Sequence, residues 1–238
     1  FKGEVVCDLY SNVYIASTSS SDTFPVTNGA FQTQRDSLQD AVVFKMTYNL
    51  SDMLFSTYLG TEAHDAAFNL KPAKDNTVYV TGATGSANFP VTTGAHDESF
   101  NFGNYDAFIT RFDQNGENIL HSTYIQSDSN GDDKGYFLQI DRYKDIYVLG
   151  SSQAITADTN KYAGPANGSF IRKYSPDLDS LHWTSTFANL NQSAFLVDNC
   201  RNIYAAGNGP GAVDTVDNVQ AAQGGFYVMV LTPEADTI

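Results

Sequence analysis

The stretch NVYIAS at residues 12–17 decides the fold, because close copies of it recur along the chain. The copies are TVYVTG at 77–82, DIYVLG at 145–150 and NIYAAG at 202–207. Each copy places apolar residues, many of them β-branched, around a tyrosine, which is typical of a β-strand. The tyrosines are spaced by 65, 68 and 57 residues, at Tyr14, Tyr79, Tyr147 and Tyr204. This period indicates four equivalent structural units.

Other repeated segments predict four antiparallel strands, a to d, in each unit. An aspartate, which favours a turn, stands six residues before three of the four tyrosines, at Asp8, Asp141 and Asp198. Strand c is predicted at DAVVFK (40–45), DAFITR (106–111), GSFIRK (168–173) and GFYVMVL (225–231). Strand d is predicted at LFSTYLG (54–60), LHSTYIQ (120–126) and WTSTFAN (183–189). Because no segment has clear helical periodicity, units of this kind favour a β-propeller.

Large aromatic residues also recur at one place per unit, which predicts that they fill the space between neighbouring units. These residues are the four tyrosines of strand b together with Tyr58, Tyr124 and Phe187. The motif FPVT occurs at residues 24–27 and 89–92, and its Phe-Pro pair is predicted to close a loop over a sheet face.

Together these motifs resemble the SBBP β-propeller repeat, which is common in large exported bacterial proteins, notably of Bacteroidota. The resemblance implies an all-β fold, a β-propeller made of four-stranded antiparallel blades. The implied blades are 1–62, 63–130, 131–190 and an incomplete fourth at 191–238. Because the fourth unit lacks a segment for strand d and the chain starts at Phe1, we expect the four visible units to be part of a larger propeller.

The charge of the chain argues against two classes of partner. There are 13 Lys and Arg residues against 27 Asp and Glu residues, so the formal charge is -14, which repels phosphate backbones and anionic headgroups. No apolar run reaches the length of a membrane span. We therefore expect no nucleic-acid partner and no membrane insertion. Cys7 and Cys200 are expected to be structural and unbridged.

No catalytic constellation is recognisable in the sequence. The histidines follow no metal-ligand spacing, and there is no nucleophile motif of the GxSxG type. His121 is expected to be a half-buried, hydrogen-bonded residue of strand d. The chain is therefore predicted to be no enzyme and to need no cofactor.

One acidic stretch, SDSNGDDKG at 127–135, is a candidate calcium site. Asp128, Asn130, Asp132 and Asp133 offer the oxygen ligands that a hard cation prefers. The stretch lacks the ligand spacing and the final glutamate of an EF-hand loop. A solvated turn is the alternative interpretation.

The chain contains triplets in which Asp is followed by Ser or Thr and then by an apolar residue. Such triplets resemble the O-glycosylation acceptors of Bacteroidota. The candidate acceptors are Ser37, Ser180 and Thr215. Ordinary turn chemistry explains the same triplets and is the alternative.

The resemblance implies a non-catalytic module of a large exported protein, located outside the cell or at its surface, including association with the outer membrane. Its role would be scaffold, adhesion or protein docking. The implied partners are other chains or flanking domains of the same protein, including secretion machinery of type IX or gliding machinery. The alternative is a propeller enzyme or a carbohydrate-binding module that acts at the central channel.

Overall fold

The computed structural model describes residues 3–36, 38–101, 103–127, 131–164, 167–188, 191–208 and 226–236. Every regular element in these ranges is a β-strand. None of the ranges contains a helix with the length and apolar character needed to cross a bilayer. The all-β class predicted from the sequence is therefore confirmed.

The strands form four antiparallel sheets in which strands follow one another in chain order. Sheet 1 contains β1 (Glu4–Cys7), β2 (Val13–Ser19), β3 (Asp40–Met46) and β4 (Met53–Leu59). Sheet 2 contains β5 (Asp65–Pro72), β6 (Val78–Thr84), β7 (Asp106–Phe112) and β8 (Ile119–Ile125). Sheet 3 contains β9 (Lys134–Ile140), β10 (Ile146–Ser152), β11 (Gly168–Tyr174) and β12 (Leu181–Phe187). Sheet 4, within the described ranges, contains β13 (Asn191–Val197), β14 (Ile203–Asn208) and β15 (Phe226–Leu231).

The predicted order of strands a, b, c and d is thus observed in the first three sheets. Strands a to c are observed in the fourth sheet. A turn follows its strand c, in which the Ala235 N–H donates to the Thr232 carbonyl (3.0 Å).

The turns between strands a and b depend on the repeated aspartate. In the first unit, Asp8 Oδ1 accepts hydrogen bonds from the backbone N–H groups of Tyr10 (2.8 Å) and Asn12 (2.9 Å), as expected of an aspartate that begins a turn. The other carboxylate oxygen, Oδ2, accepts a bond from the Tyr14 hydroxyl (3.3 Å). Asp141 and Asp198 accept equivalent bonds from the hydroxyls of Tyr147 and Tyr204. One side chain therefore closes the turn and holds the tyrosine of strand b.

The second unit has Ala73 in place of the turn aspartate. The Tyr79 hydroxyl there donates instead to the Pro176 carbonyl of sheet 3 (2.8 Å). The tyrosine thus keeps a hydrogen-bond partner, as a buried phenol requires, although the partner belongs to another unit.

The tight turns also share one strained backbone position. Residues with φ between 51° and 74° recur at the same place of each turn, among them Asn76 and Lys144 between strands a and b, and Leu178 between strands c and d. Gly116 occupies the same position of the second c–d turn, with φ of 67°. Side chains with a Cβ adopt this left-handed conformation at a cost, so the hairpin geometry overrides the local preference.

Three hydrophobic cores lie between consecutive sheets. In each core, the strand-b tyrosine of one sheet shares the cluster with an apolar strand-b residue of the next sheet. The pairs are Tyr14 with Val78, Tyr79 with Ile146, and Tyr147 with Ile203. Sheets 2 and 3 are therefore buried on both faces, and β6 and β11 contain only buried residues. We call the side of a sheet that faces the next sheet its downstream face, and the opposite side its upstream face.

The two Phe-Pro loops pack as expected, each on the upstream face of its own sheet. Phe89 is buried against Phe108 and Tyr124 in the core between sheets 1 and 2. Phe24 is half-buried against Phe44 and Tyr58. The difference follows from the neighbours, because a sheet precedes sheet 2 but none of the described strands covers the upstream face of sheet 1.

Replacing Tyr147 or Tyr79 with alanine should lower the free energy of unfolding by about 3 kcal/mol or more, because each ring fills space between two sheets. Tyr204→Ala is the matched control. This ring occupies the same repeat position, and its hydroxyl donates to the turn aspartate Asp198 as that of Tyr147 does to Asp141, yet it is only partly buried. The decrease in the free energy of unfolding caused by Tyr204→Ala should therefore be clearly smaller. Chemical denaturation measures all three variants, and equal midpoints for Tyr147→Ala and Tyr204→Ala would contradict the role assigned to inter-sheet packing.

Candidate functional site

Two of the four residues of the predicted calcium site, Asp132 and Asp133, lie in the described part of the chain. Asp128 and Asn130 lie outside the described residues. Asp132 Oδ1 accepts hydrogen bonds from the backbone N–H (2.8 Å) and the side-chain amide (3.1 Å) of Asn104. Asp133 is fully buried, so the two adjacent side chains have different surroundings. Nowhere in the described part of the chain do three or more His, Cys, Asp or Glu side chains form a group that could hold a metal ion.

Asp133 lies instead beside Asp106, across the interface between sheets 2 and 3. Its backbone N–H donates to the carbonyl of Tyr105, the residue before Asp106 (2.8 Å). Asp133 Oδ2 accepts from the Ser127 N–H (2.7 Å), and Asp106 Oδ2 accepts from the Asn101 N–H (2.6 Å). Both carboxyl groups are fully buried, and the Oδ1 atom of each has no hydrogen-bond partner.

An equivalent pair, Asp40 and Asp65, lies between sheets 1 and 2. The Asp65 N–H donates to the carbonyl of Gln39, the residue before Asp40 (2.9 Å). Both side chains are fully buried. Their carboxyl carbons lie within 3.0 Å of the point that a Cβ on Gly60 would occupy, so the two groups are close neighbours and only glycine fits between them. Asp65 Oδ1, like its counterparts in the second pair, has no hydrogen-bond partner.

Burial is the main cause that raises the pKa values of Asp65, Asp106 and Asp133, because the low-dielectric interior disfavours charge. The pKa of Asp65 rises to about 7, and the neighbouring Asp40 carboxylate contributes to the rise. The pKa of Asp106 likewise rises to about 7, with Asp133 as its nearest like charge. The pKa of Asp133 rises to about 6, and the nearby Arg172 guanidinium opposes that rise. Two adjacent buried carboxylates repel each other, so each pair favours a state that keeps one proton.

The sequence carried a partial signal for these pairs. Asp40 and Asp106 begin the repeated strand-c motif, but that motif by itself predicts only a strand. Asp65 was not singled out, and Asp133 was assigned to a calcium loop. The partners of each pair lie on consecutive sheets, so their proximity follows from how the sheets stack.

The outer faces of the first and last described sheets are apolar and partly exposed. On the upstream face of sheet 1, Val5 is 66% exposed beside its cross-strand neighbour Ile15. On the downstream face of sheet 4, Leu196 and Val230 flank Tyr204 from the two neighbouring strands and are 53% and 42% exposed. The positions equivalent to Val5 and Tyr204 are buried in the internal interfaces, whereas Val5 is exposed and Tyr204 is half-buried at these two faces.

Of the glycosylation candidates, Ser37 and Thr215 lie outside the described residues. Ser180 is exposed in the turn between β11 and β12. Its hydroxyl donates to Asp179 Oδ1 (2.9 Å), and its N–H donates to Ser175 Oγ (3.2 Å). The position is accessible, and its hydrogen bonds are those of an ordinary polar turn.

The other singled-out residues occupy simple environments. His121 lies in β8, and its Nε2 is 3.3 Å from Asp177 Oδ1, which agrees with the half-buried residue expected from the sequence. Cys7 and Cys200 are free thiols and are exposed, so they do not contribute to a core as a structural cysteine would.

Comparison with known proteins leaves the repeat as the main guide to function, since no family model matches the chain and no curated protein matches it.

The raised pKa values predict that stability falls as the pH rises. The ordinary pKa of an aspartate is about 3.9, so folded Asp65, Asp106 and Asp133 hold their protons more tightly than the unfolded chain does. Their contribution is complete below about pH 4 and is lost as the pH rises through about 6 and 7. Denaturation midpoints at about pH 5 and about pH 8 should therefore differ more in the natural chain than in the variant Asp65→Asn/Asp106→Asn.

Asp52→Asn is the matched control for this measurement. Asp52 is exposed in the turn between β3 and β4, so its replacement should leave the pH dependence unchanged. Desolvation lowers the pKa of His96, which acts in the opposite direction near neutral pH, but His96 is present in every variant and its effect cancels in the comparison. The same pH dependence in the double variant as in the natural chain would contradict the assignment of the buried pairs.

Proposed function

We propose that this chain is a non-catalytic β-propeller module of an exported bacterial protein, and that its outer sheet faces dock onto further sheets of the same repeat. The observation that carries the proposal is the pair of open apolar faces on sheets 1 and 4. Export and a location at the cell surface rest on the resemblance of the repeat motifs to SBBP repeats.

The stacking of the sheets supports the propeller. Strands a of consecutive sheets are neighbours, since β5 contacts both β1 and β9, and β9 also contacts β13. Each sheet packs its downstream face on the upstream face of the next sheet. Four-stranded antiparallel sheets that follow one another with strand a at one side are the organisation expected of propeller blades.

The internal interfaces indicate what would cover the open faces. Each of them joins a downstream face to an upstream face, and each is centred on a strand-b tyrosine opposite apolar strand-b residues. Tyr204 presents the same residue type on sheet 4, and Val13 and Ile15 present the apolar partner positions on sheet 1. The occupant that fits each face is therefore another sheet of this repeat.

The downstream face of sheet 4 is also less charged than its internal counterparts. Lys45, Arg111 and Lys173 each place a cation over the strand-b tyrosine of their own sheet, at 4.6 to 5.3 Å from the ring centroid. The cross-strand partner of Tyr204 is instead Val230. A contiguous apolar surface of this kind marks a protein interaction site.

A second copy of the chain provides a direct test. Because the contact joins two different faces, we expect head-to-tail self-association. Val5→Lys or Val230→Lys alone should weaken this association by about tenfold or more, because each variant buries a charge in an apolar contact. An equal mixture of the two variants should form a heterodimer, since each supplies the intact face that the other lacks. Sedimentation velocity at increasing concentration measures all of these states.

Leu9→Lys is the matched control, because Leu9 is almost completely exposed in the turn between β1 and β2, away from both faces. It should associate like the natural chain. The proposal fails if the natural chain stays monomeric at high concentration, or if the mixture of variants associates no better than each variant alone.

A further inference from the structure

Two cavities open where strand a begins and strand b ends, and they meet at Lys134. One has a volume of about 510 Å³ and lies against Lys134, Tyr136 and Gln192. The other has a volume of about 370 Å³ and lies against Phe68, Tyr105 and Lys134. Both volumes are typical of ligand sites. Together they form one groove that extends from Thr18 of sheet 1 to Gln192 of sheet 4, and its lining includes none of the residues named above on the outer faces of those two sheets.

The groove contains a buried amide that is held in one orientation. Gln192 is 93% buried, which follows from its 7% exposure. Its Nε2 donates to the Gly150 carbonyl (3.1 Å) and to Ser169 Oγ (2.7 Å). Oε1 accepts no hydrogen bond from the described residues, and because Gln192 lines the larger cavity, this oxygen can act as an acceptor there. A fixed acceptor of this kind suits a ligand hydroxyl group.

The groove also contains a cation without an acidic partner. Lys134 is half-buried, and among the described residues it has no carboxylate within 4.0 Å. Its ammonium lies 5.3 Å from the ring centroid of Tyr105. It is the only lysine or arginine among the described residues that line either cavity. In a chain of charge -14, where most other half-buried cations pair with carboxylates, this one is free to bind an anionic group.

Aromatic rings and a carboxylate complete the groove. Phe68 and Tyr136 pack together with ring centroids 5.6 Å apart, one beside each cavity. Such rings provide large, rigid contact area for a ligand ring. Asp132, already hydrogen-bonded to Asn104, lies at the wall of the larger cavity and can accept a further bond from a hydroxyl.

We propose that this groove binds an oligosaccharide that contains uronic acid units. The uronate carboxylate would pair with Lys134, the sugar ring would pack against Tyr136, and ring hydroxyls would donate to Gln192 Oε1 and Asp132. This combination of one cation, fixed acceptors and aromatic surface fits a ligand that is acidic, rich in hydroxyls and cyclic. The inference is independent of docking through the outer faces.

Isothermal titration calorimetry with the α-1,4-linked trimer of galacturonic acid tests the proposal, with the neutral galactose trimer as the reference ligand. We expect the acidic trimer to bind about tenfold more tightly than the neutral one, and its affinity to fall with added salt. Lys134→Met should lower affinity for the acidic trimer by about tenfold and leave that for the neutral trimer unchanged. Lys134→Arg should restore binding, because it keeps the charge.

Lys74→Met is the matched control, since Lys74 is exposed in the turn at the other end of sheet 2. It should bind like the natural chain. Amide chemical shifts of the natural chain provide a second measurement that needs no variant, and the acidic trimer should perturb Lys134, Tyr136 and Gln192. The proposal is overturned if the natural chain does not bind the acidic trimer, if both trimers bind equally, if Lys134→Met binds unchanged, or if the perturbed signals lie elsewhere.

Discussion

The structure depends on strand b, whose side chains enter two different hydrophobic cores. In a β-strand, alternate side chains point to opposite faces. The strand-b tyrosine therefore enters the downstream core while its apolar neighbours enter the upstream core. Shifting the register by one residue would exchange the two sets, which specifies the register strongly. Each unit thus completes the core of the unit before it and depends on the unit after it.

This division also explains the roles of the turn aspartates and of the strained turns. The strand-b tyrosine carries a hydroxyl into a tightly packed interface, where it needs a partner. Asp8 and Asp141 provide that partner from the preceding turn, and in the second unit a carbonyl of the next sheet replaces it. Residues with a left-handed backbone conformation, such as Lys144, are tolerated because packing on both sides holds the hairpin in place.

The same stacking brings acidic groups together inside the interfaces. Asp65 begins strand a of sheet 2 and Asp133 directly precedes strand a of sheet 3, whereas Asp40 and Asp106 begin strand c of the preceding sheet. Placing one sheet on the next makes neighbours of groups that would repel each other in water if both were charged. These carboxyl groups are fully buried, so they affect the stability of the interfaces. Asp132 and Lys134, by contrast, are only half-buried at the wall of the groove and can reach a ligand.

The sequence by itself determined the all-β class, the four units, the strand order and the turn aspartates. These features depend on local alternation and turn chemistry, which are visible within a few residues. It did not reveal that Asp40 lies beside Asp65, or that Asp132 and Asp133 have different surroundings. The tertiary structure decided these contacts, as well as the placement of Lys134 and Gln192 in one groove. The reason is physical: side chains from different sheets become neighbours only through face-to-face packing, and the spacing of residues along the chain does not encode that distance.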